Sequence, residues 1–90
     1  MNFPAKDPDE VLDYTIDWTA KLAQGDHITQ STFTVLSGGC TIQSSSHNNT
    51  SATVWLQGGT LGATANIRNR VTTNLGRVMD VTALLPILEK

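Results

Sequence analysis

The sequence predicts an all-β fold, a small sandwich of six or seven antiparallel strands. Three observations carry that prediction. First, Tyr14, Ile16, Trp18, Ala20 and Leu22 fall on every second position, with Asp13, Thr15, Asp17, Thr19 and Lys21 in the gaps. A strand has a side-chain period of two, so this segment has one apolar and one wet face, whereas a helix would scatter the same residues around its surface. Second, similar segments recur at spacings of roughly ten to fifteen residues, separated by Gly, Asn and Asp, which is the sandwich pattern. Third, no long helical periodicity interrupts them, which excludes a fold of alternating strands and helices.

Ninety residues make one domain. A chain of that length buries only about 60–65% of its unfolded surface, so its core is modest. Apolar residues supply 39% and charged residues 16%. The remainder is dominated by Thr, Ser, Gly and Asn, a composition suited to strands and turns.

Residues 1–11 are polar, acidic and broken by Pro4 and Pro8, and read as an extended N-terminal arm. Asp7-Pro8-Asp9-Glu10 is suited to one helical turn with Pro at its first position. Such an arm is either a frayed terminus or a segment that orders against a neighbour. Residues 12–90 read as the single domain. The first strand is expected over 13–22, followed by a turn at Gln24-Gly25-Asp26. The second is expected over 27–35. Its apolar marks Ile28 and Phe33 differ in parity, which calls for a bulge near Gln30-Ser31.

Gly38-Gly39 turns the chain into a short third strand, 40–43, and residues 44–49 read as a polar loop tip. A fourth strand, 52–57, puts Val54 and Leu56 on one side and Trp55 on the other. Gly58-Gly59-Thr60-Leu61-Gly62 connects it to a fifth over 63–73, with Ala63, Ala65, Ile67 and Val71 inward and Thr64, Asn66, Arg68, Arg70 and Thr72 outward. Asn74-Leu75-Gly76 is a hairpin loop with Gly where positive φ is wanted. The last strand, 77–88, aligns Met79, Val81, Ala83, Leu85 and Ile87. Pro86 has no N–H for a ladder, so this strand is an edge or ends its ladder there.

Net charge is −2. Arg68, Arg70 and Arg77 are too few and too far from aromatics to make a nucleic-acid surface. The charge is lopsided along the chain, with Asp7, Asp9, Glu10, Asp13 and Asp17 early and the three arginines late. Cross-strand pairing between the first and last strands is one explanation. Chance is another, and head-to-tail matching between copies or partners is the third.

A lone cysteine, Cys40, rules out an internal disulfide and reads as a small core residue. One Cys and two distant histidines, His27 and His47, do not make a metal site. No segment reads as a signal peptide or reaches membrane-spanning length, so a cytosolic origin is expected. The glycine-rich connection lacks the Lys and the following helix of a phosphate cradle. Asp13 and Asp17 are four apart on one strand face, roughly 13 Å, too wide for a glycosidase pair. They read as a solubilising face or as partners of Arg68 or Arg70. No cofactor and no catalytic set is expected.

The remaining signals are surfaces. Trp18 sits in the core row. Trp55 has opposite parity to Val54 and Leu56, and the pattern does not decide which of the three faces water. Exposed, Trp55 is an anchor for a partner. Leu84 and Leu88 fall opposite the expected core face of the last strand and would form an apolar stripe for another chain to cover.

Several strings carry a resemblance. Asp7-Pro8-Asp9-Glu10-Val11-Leu12-Asp13-Tyr14 leads into Ile16-Asp17-Trp18. Gly25-Asp26-His27-Ile28, the run from Val54 to Gly62, Asn69-Arg70-Val71-Thr72-Thr73, Gly76-Arg77 and Asp80 follow. Together they resemble small tailed-phage proteins described as fiber-tail adaptors or head–tail region structural proteins. The resemblance implies an immunoglobulin-like sandwich without catalytic residues, located in the virion and in the host cytoplasm before assembly. The leading reading is docking on connector, tail or fiber components through edge strands and the arm, with copies following the rotational symmetry of the particle, either as a homo-oligomer or as domains that are monomeric in isolation. Neither nucleic acid nor membrane is an expected partner. The contacts expected are Asp9, Glu10, Asp13, Trp55, Arg68, Arg70, Leu84 and Leu88. The alternative reading is a carbohydrate- or receptor-binding immunoglobulin-like domain, with Trp55 and the loops at 44–49 and 58–62 as its site.

Overall fold

The computed structural model describes residues 1–90. Six strands, β1 (Leu12–Asp17), β2 (Ile28–Ser37), β3 (Cys40–His47), β4 (Ser51–Gly58), β5 (Thr64–Thr73) and β6 (Val78–Pro86), form two antiparallel three-stranded sheets. One sheet has the order β1-β4-β3 and the other β2-β5-β6. Their inner faces close on one core, so the all-β sandwich expected from the period-two pattern is present. Tyr14, Ile16 and Trp18 from the β1 segment meet Val54 and Leu56 from β4, Ile67 and Val71 from β5, and Leu85 from β6.

The row that predicts β1 runs out sooner than its alternation suggests. Asp17 Oδ1 accepts the Thr19 N–H at 2.9 Å and its hydroxyl at 2.6 Å. A carboxylate bonding the backbone two residues on mimics a turn, and the chain enters a 3-10 turn at Thr19–Lys21. Ala20 is therefore exposed and Leu22 only half-buried. Trp18 stays buried at 1% exposure, and its Nε1 donates to Asn69 Oδ1 at 2.9 Å. Asn69 holds an inward position between Ile67 and Val71, and its Nδ2 donates to Ser31 Oγ and the Thr32 carbonyl. A buried amide is tolerated only with such partners, and it locks the two sheets to each other.

β2 changes parity through register shifts at Ile28/Gln30 and Val35/Ser37, the first one residue before the expected bulge. β3 is twice the expected length. Residues 44–47 continue the ladder with β4 after a shift at Ile42/Ser44, so the expected loop tip shrinks to residues 48–50. Asn48 shapes that turn, its Oδ1 accepting the N–H groups of Thr50 and Ser51. The turn between β2 and β3 needs glycine for a packing reason as well. Gly38 has φ +98, and a Cβ there would run into the backbone of Ala65.

Candidate functional site

The candidate surfaces are the two long sides and the outer faces of the sandwich. The side formed by β1 and β6 is closed by the N-terminal arm. The arm runs parallel to β6, with bridges at Asn2/Leu84 and Lys6/Ile87. The N–H groups of Phe3 and Lys6 donate to the carbonyls of Leu84 and Pro86, and those of Leu84 and Leu88 donate to Met1 and Lys6. Phe3 is buried and stacks on Tyr14 with ring centroids 4.6 Å apart. The Tyr14 hydroxyl donates to the Pro4 carbonyl at 3.1 Å. Burial, and then the negative field of Glu10, pushes that phenol up to about 12.

Lys6 is fully buried, and its ammonium donates to the carbonyls of Gly58 at 2.6 Å and Asp7 at 2.8 Å. Phe3 and Lys6 are the residues that sequence reasoning missed. The usable signal was one aromatic inside an otherwise polar tail.

The arm turns into β1 through Asp7-Pro8-Asp9-Glu10. Asp7 Oδ1 accepts the Asp9 N–H and Oδ2 accepts the Lys90 N–H, both at 2.9 Å. Glu10 Oε1 accepts the Asp7 N–H at 2.9 Å and lies 3.0 Å from Lys90 Nζ. These backbone donors, from Asp9 to Asp7 and from Asp7 to Glu10, hold both carboxyls below their usual range. A shallow depression of about 290 Å³ lies here, lined by Asp7, Pro8, Asp9, Leu61, Glu89 and Lys90.

The opposite side, where β2 and β3 come together, carries no such cover. Between Asp26 and Arg68 the chain has no Asp, Glu, Lys or Arg, so β2, β3 and β4 are without formal charge. That gap is visible in the sequence and passes unnoticed when charge is tallied by halves.

On the outer faces the structure decides the question left open for Trp55. Val54 and Leu56 are fully buried and Trp55 is 40% exposed. It stands between Asp13 on β1 and Ser44 on β3. Asp13 is exposed beside it, while Asp17 is turned to Thr19. Arg68, half-buried, lies on the other sheet between Thr34 and Thr82. Arg70 pairs in two-pronged fashion with Asp80, at 2.7 and 3.0 Å.

Of the two roles expected of Asp13 and Asp17, pairing with Arg68 or Arg70 does not occur, because β1 and β5 belong to different sheets, and both carboxylates are exposed. Nor do the early acids pair with the late arginines as blocks: Arg77 meets Asp26 at 3.4 Å, and Arg70 has its Asp80. Leu84 and Leu88 are exposed at the side chain, with their backbone groups engaged by the arm. Asp9 is exposed at the arm turn and Glu10 is half-buried against Lys90.

Of the loops expected to share a sugar site with Trp55, residues 44–47 run along β4 as part of β3 and only 48–50 turn at its start, while 58–62 follows its far end, about 23 Å from that start by strand rise. They form no common cleft. His27, His47 and Cys40 are scattered, and no group of three His, Cys, Asp or Glu side chains converges on a point. Cys40 is buried, and burial pushes its thiol up. No helix is long and apolar enough to cross a membrane.

No curated protein matches the chain. A protein family does: the one described as Podophage GP4 fiber-tail adaptor protein gp77 matches residues 6–86, from the buried lysine of the arm to the proline that ends β6. The match spans the arm turn, both sheets and every turn between them, and the chain belongs to this family of phage fiber-tail adaptor proteins.

Proposed function

We propose that the chain acts in the virion as a non-enzymatic docking module that joins tail or head–tail components to fibers. The observation that carries this reading is one of shape. A chain matched almost end to end by an adaptor family offers two sheet faces and two unlike sides, and only a shallow depression. Surfaces of that kind join proteins; they do not enclose a substrate.

In this reading residues 1–11 and 12–90 work as one unit, the arm being the first strand of an immunoglobulin-like sandwich. The sheet orders support it. With the arm counted as the first strand, β1-β4-β3 and β2-β5-β6 correspond to the B-E-D and C-F-G orders of that fold. Trp55 is the anchor of the contact, with Asp13 beside it. Asp9 and Glu10 steer basic partners, Arg68 meets an acidic one, and Leu84 and Leu88 are covered on docking. Arg70 contributes only by exchanging Asp80 for a partner carboxylate. The module is made in the host cytoplasm and joins connector, tail or fiber proteins at assembly.

Quantitative mass spectrometry of purified particles tests the reading. The chain is expected at a fixed ratio to the tail proteins, and Trp55→Ala is expected to lower that ratio without unfolding the domain. Particles that carry fibers but not this chain would dispose of the proposal.

A further inference from the structure

The outer face of the β1-β4-β3 sheet sets an exposed indole beside a free carboxylate. Asp13 and Trp55 are directly opposed on β1 and β4, and both are exposed. Side chains so placed have β-carbons about 4.5–5.5 Å apart, so one group can touch both. Of the carboxylates carried by strands, Asp17 is bonded to Thr19 and Asp80 to Arg70. Asp13 has no ion pair within the chain. No Lys or Arg stands on β1, β3 or β4, so the formal charge of this sheet is negative only.

A free carboxylate calls for a cation, and the indole narrows which one. An aromatic face attracts positive charge, and Arg meets it more often than Lys. A guanidinium is planar and weakly hydrated, lies flat on a ring and offers two N–H groups at once to a carboxylate. An ammonium is a compact, strongly hydrated point charge. The chain itself shows the fork on its other sheet, where Arg70 grips both oxygens of Asp80 from the neighbouring strand.

We infer that Asp13 and Trp55 form a recognition site for an arginine side chain of a partner protein. The guanidinium stacks on the Trp55 indole and donates two N–H groups to the Asp13 carboxylate. Val11, exposed two residues before Asp13, gives its methylene stem an apolar neighbour. The chain's own arginines do not supply the group. Arg70 and Arg77 are held by Asp80 and Asp26, and Arg68 lies half-buried on the other sheet between Thr34 and Thr82. Each copy also carries −2, which sets copies against one another and favours a basic partner. That the arginine belongs to another virion protein rests on the adaptor reading; that the pair selects arginine does not.

The test is a nitrogen-15 NMR titration of the full chain with N-acetyl-arginine amide, N-acetyl-lysine amide and the neutral N-acetyl-citrulline amide at matched ionic strength. One exposed residue binds weakly, so the readout is the slope of the shift up to about 50 mM probe. The Trp55 indole N–H and the Asp13 amide are expected to move with arginine, at least about threefold more steeply than with lysine. Citrulline, which has the shape without the charge, is expected to leave them in place. The Trp18 indole, buried on Asn69, is the internal reference. Asp13→Asn is expected to abolish the arginine response at the Trp55 indole, and Trp55→Ala the response at the Asp13 amide, with unchanged circular dichroism spectra.

Equal slopes for arginine and lysine overturn the inference. So does a citrulline response equal to that of arginine, or an arginine response that survives Asp13→Asn. In purified particles, Asp13→Arg is expected to lower the amount of the chain relative to the tail proteins; an unchanged ratio overturns the choice of a virion partner. Self-association of the parent chain that Arg68→Ala abolishes overturns it too, since a second copy would then supply the arginine. A parent chain absent from particles but selective for arginine in the titration defeats the adaptor reading and leaves the site standing.

Discussion

On the arm side of the sandwich, β1 and β6 are bridged by a segment that buries an aromatic ring and an ammonium group. Acids and Lys90 are tied together at its turn. On the far side, β2 and β3 meet with nothing between them and no charge along either strand. The arm side satisfies its edge within the chain, so it holds the fold and offers few unpaired backbone groups. The far side leaves an edge unsatisfied and unguarded, which costs little stability and leaves main-chain groups ready for another strand. This chain separates a closed edge and an open one onto opposite sides of the sandwich.

The separation is broken most directly by emptying the arm. Phe3→Ala removes a ring that is 7% exposed and stacked on Tyr14. The loss is expected to be about 2–4 kcal/mol, toward the low end for a buried Phe because the arm can settle into the gap. That is a large share of the roughly 5–10 kcal/mol expected for so small a domain. On the far side, Ser46→Ala is expected to change stability by less than about 0.5 kcal/mol. Urea unfolding of the two variants measures both. Equal losses would mean that the two sides carry the fold alike.

The next effect in size belongs to Lys6. Its ammonium lies among carbonyls, with Gly58 and Asp7 as its acceptors. Lys6→Met keeps the length of the side chain and removes the donors. Leaving a buried carbonyl without its partner costs about 1–3 kcal/mol, so a loss in that range is expected in the same urea experiment. A stabilised variant would show instead that the desolvated charge outweighs its hydrogen bonds.

How far these two sides could be read from the sequence differs residue by residue. Tyr14, Ile16 and Trp18 declare β1 through alternation, because burial on one face leaves a period of two. The same rule overruns at Ala20, since it cannot see Asp17 capping a turn. β3 is illegible beyond Gln43: Ser44, Ser45 and Ser46 have loop composition, and only the ladder with β4 makes them a strand. The arm hides because Pro4 and Pro8 suggest disorder, while a single Phe3 supplies the anchor. Trp55 is legible as a candidate but not as exposed, because parity relates it to Val54 and Leu56 without saying which face is inside. The arginines mislead because sequence order says nothing of sheet order. Arg70 meets Asp80 across a hairpin, far from the acids that a count by halves sets against it.

The smallest expected effect is also the most selective between the two sides, and it comes from pH. Asp7 and Glu10 hold the arm turn as carboxylates, accepting the N–H groups of Asp9, Lys90 and Asp7 and facing the Lys90 ammonium. Both are held below their ordinary values of 3.8 and 4.5 by those donors. A carboxyl more acidic in the folded than in the unfolded chain stabilises the fold while ionised. That contribution is complete above about pH 5.5 and fades as pH falls through the ordinary values toward the folded ones.

The far side has no carboxylate to protonate, so the acid-linked loss at the arm turn has no counterpart there. Hydrogen exchange of residues 1–10 and of β3, compared at about pH 6 and pH 3.5 after correction for intrinsic rates, separates the two. The arm is expected to lose protection at the lower pH while β3 keeps its own. Asp7→Asn is expected to weaken the arm at pH 6 and to flatten its response. Arm protection that is equal at both values would mean that Phe3 and the ladder to β6 hold the segment alone, and that the charges at its turn are ornament to the closed side.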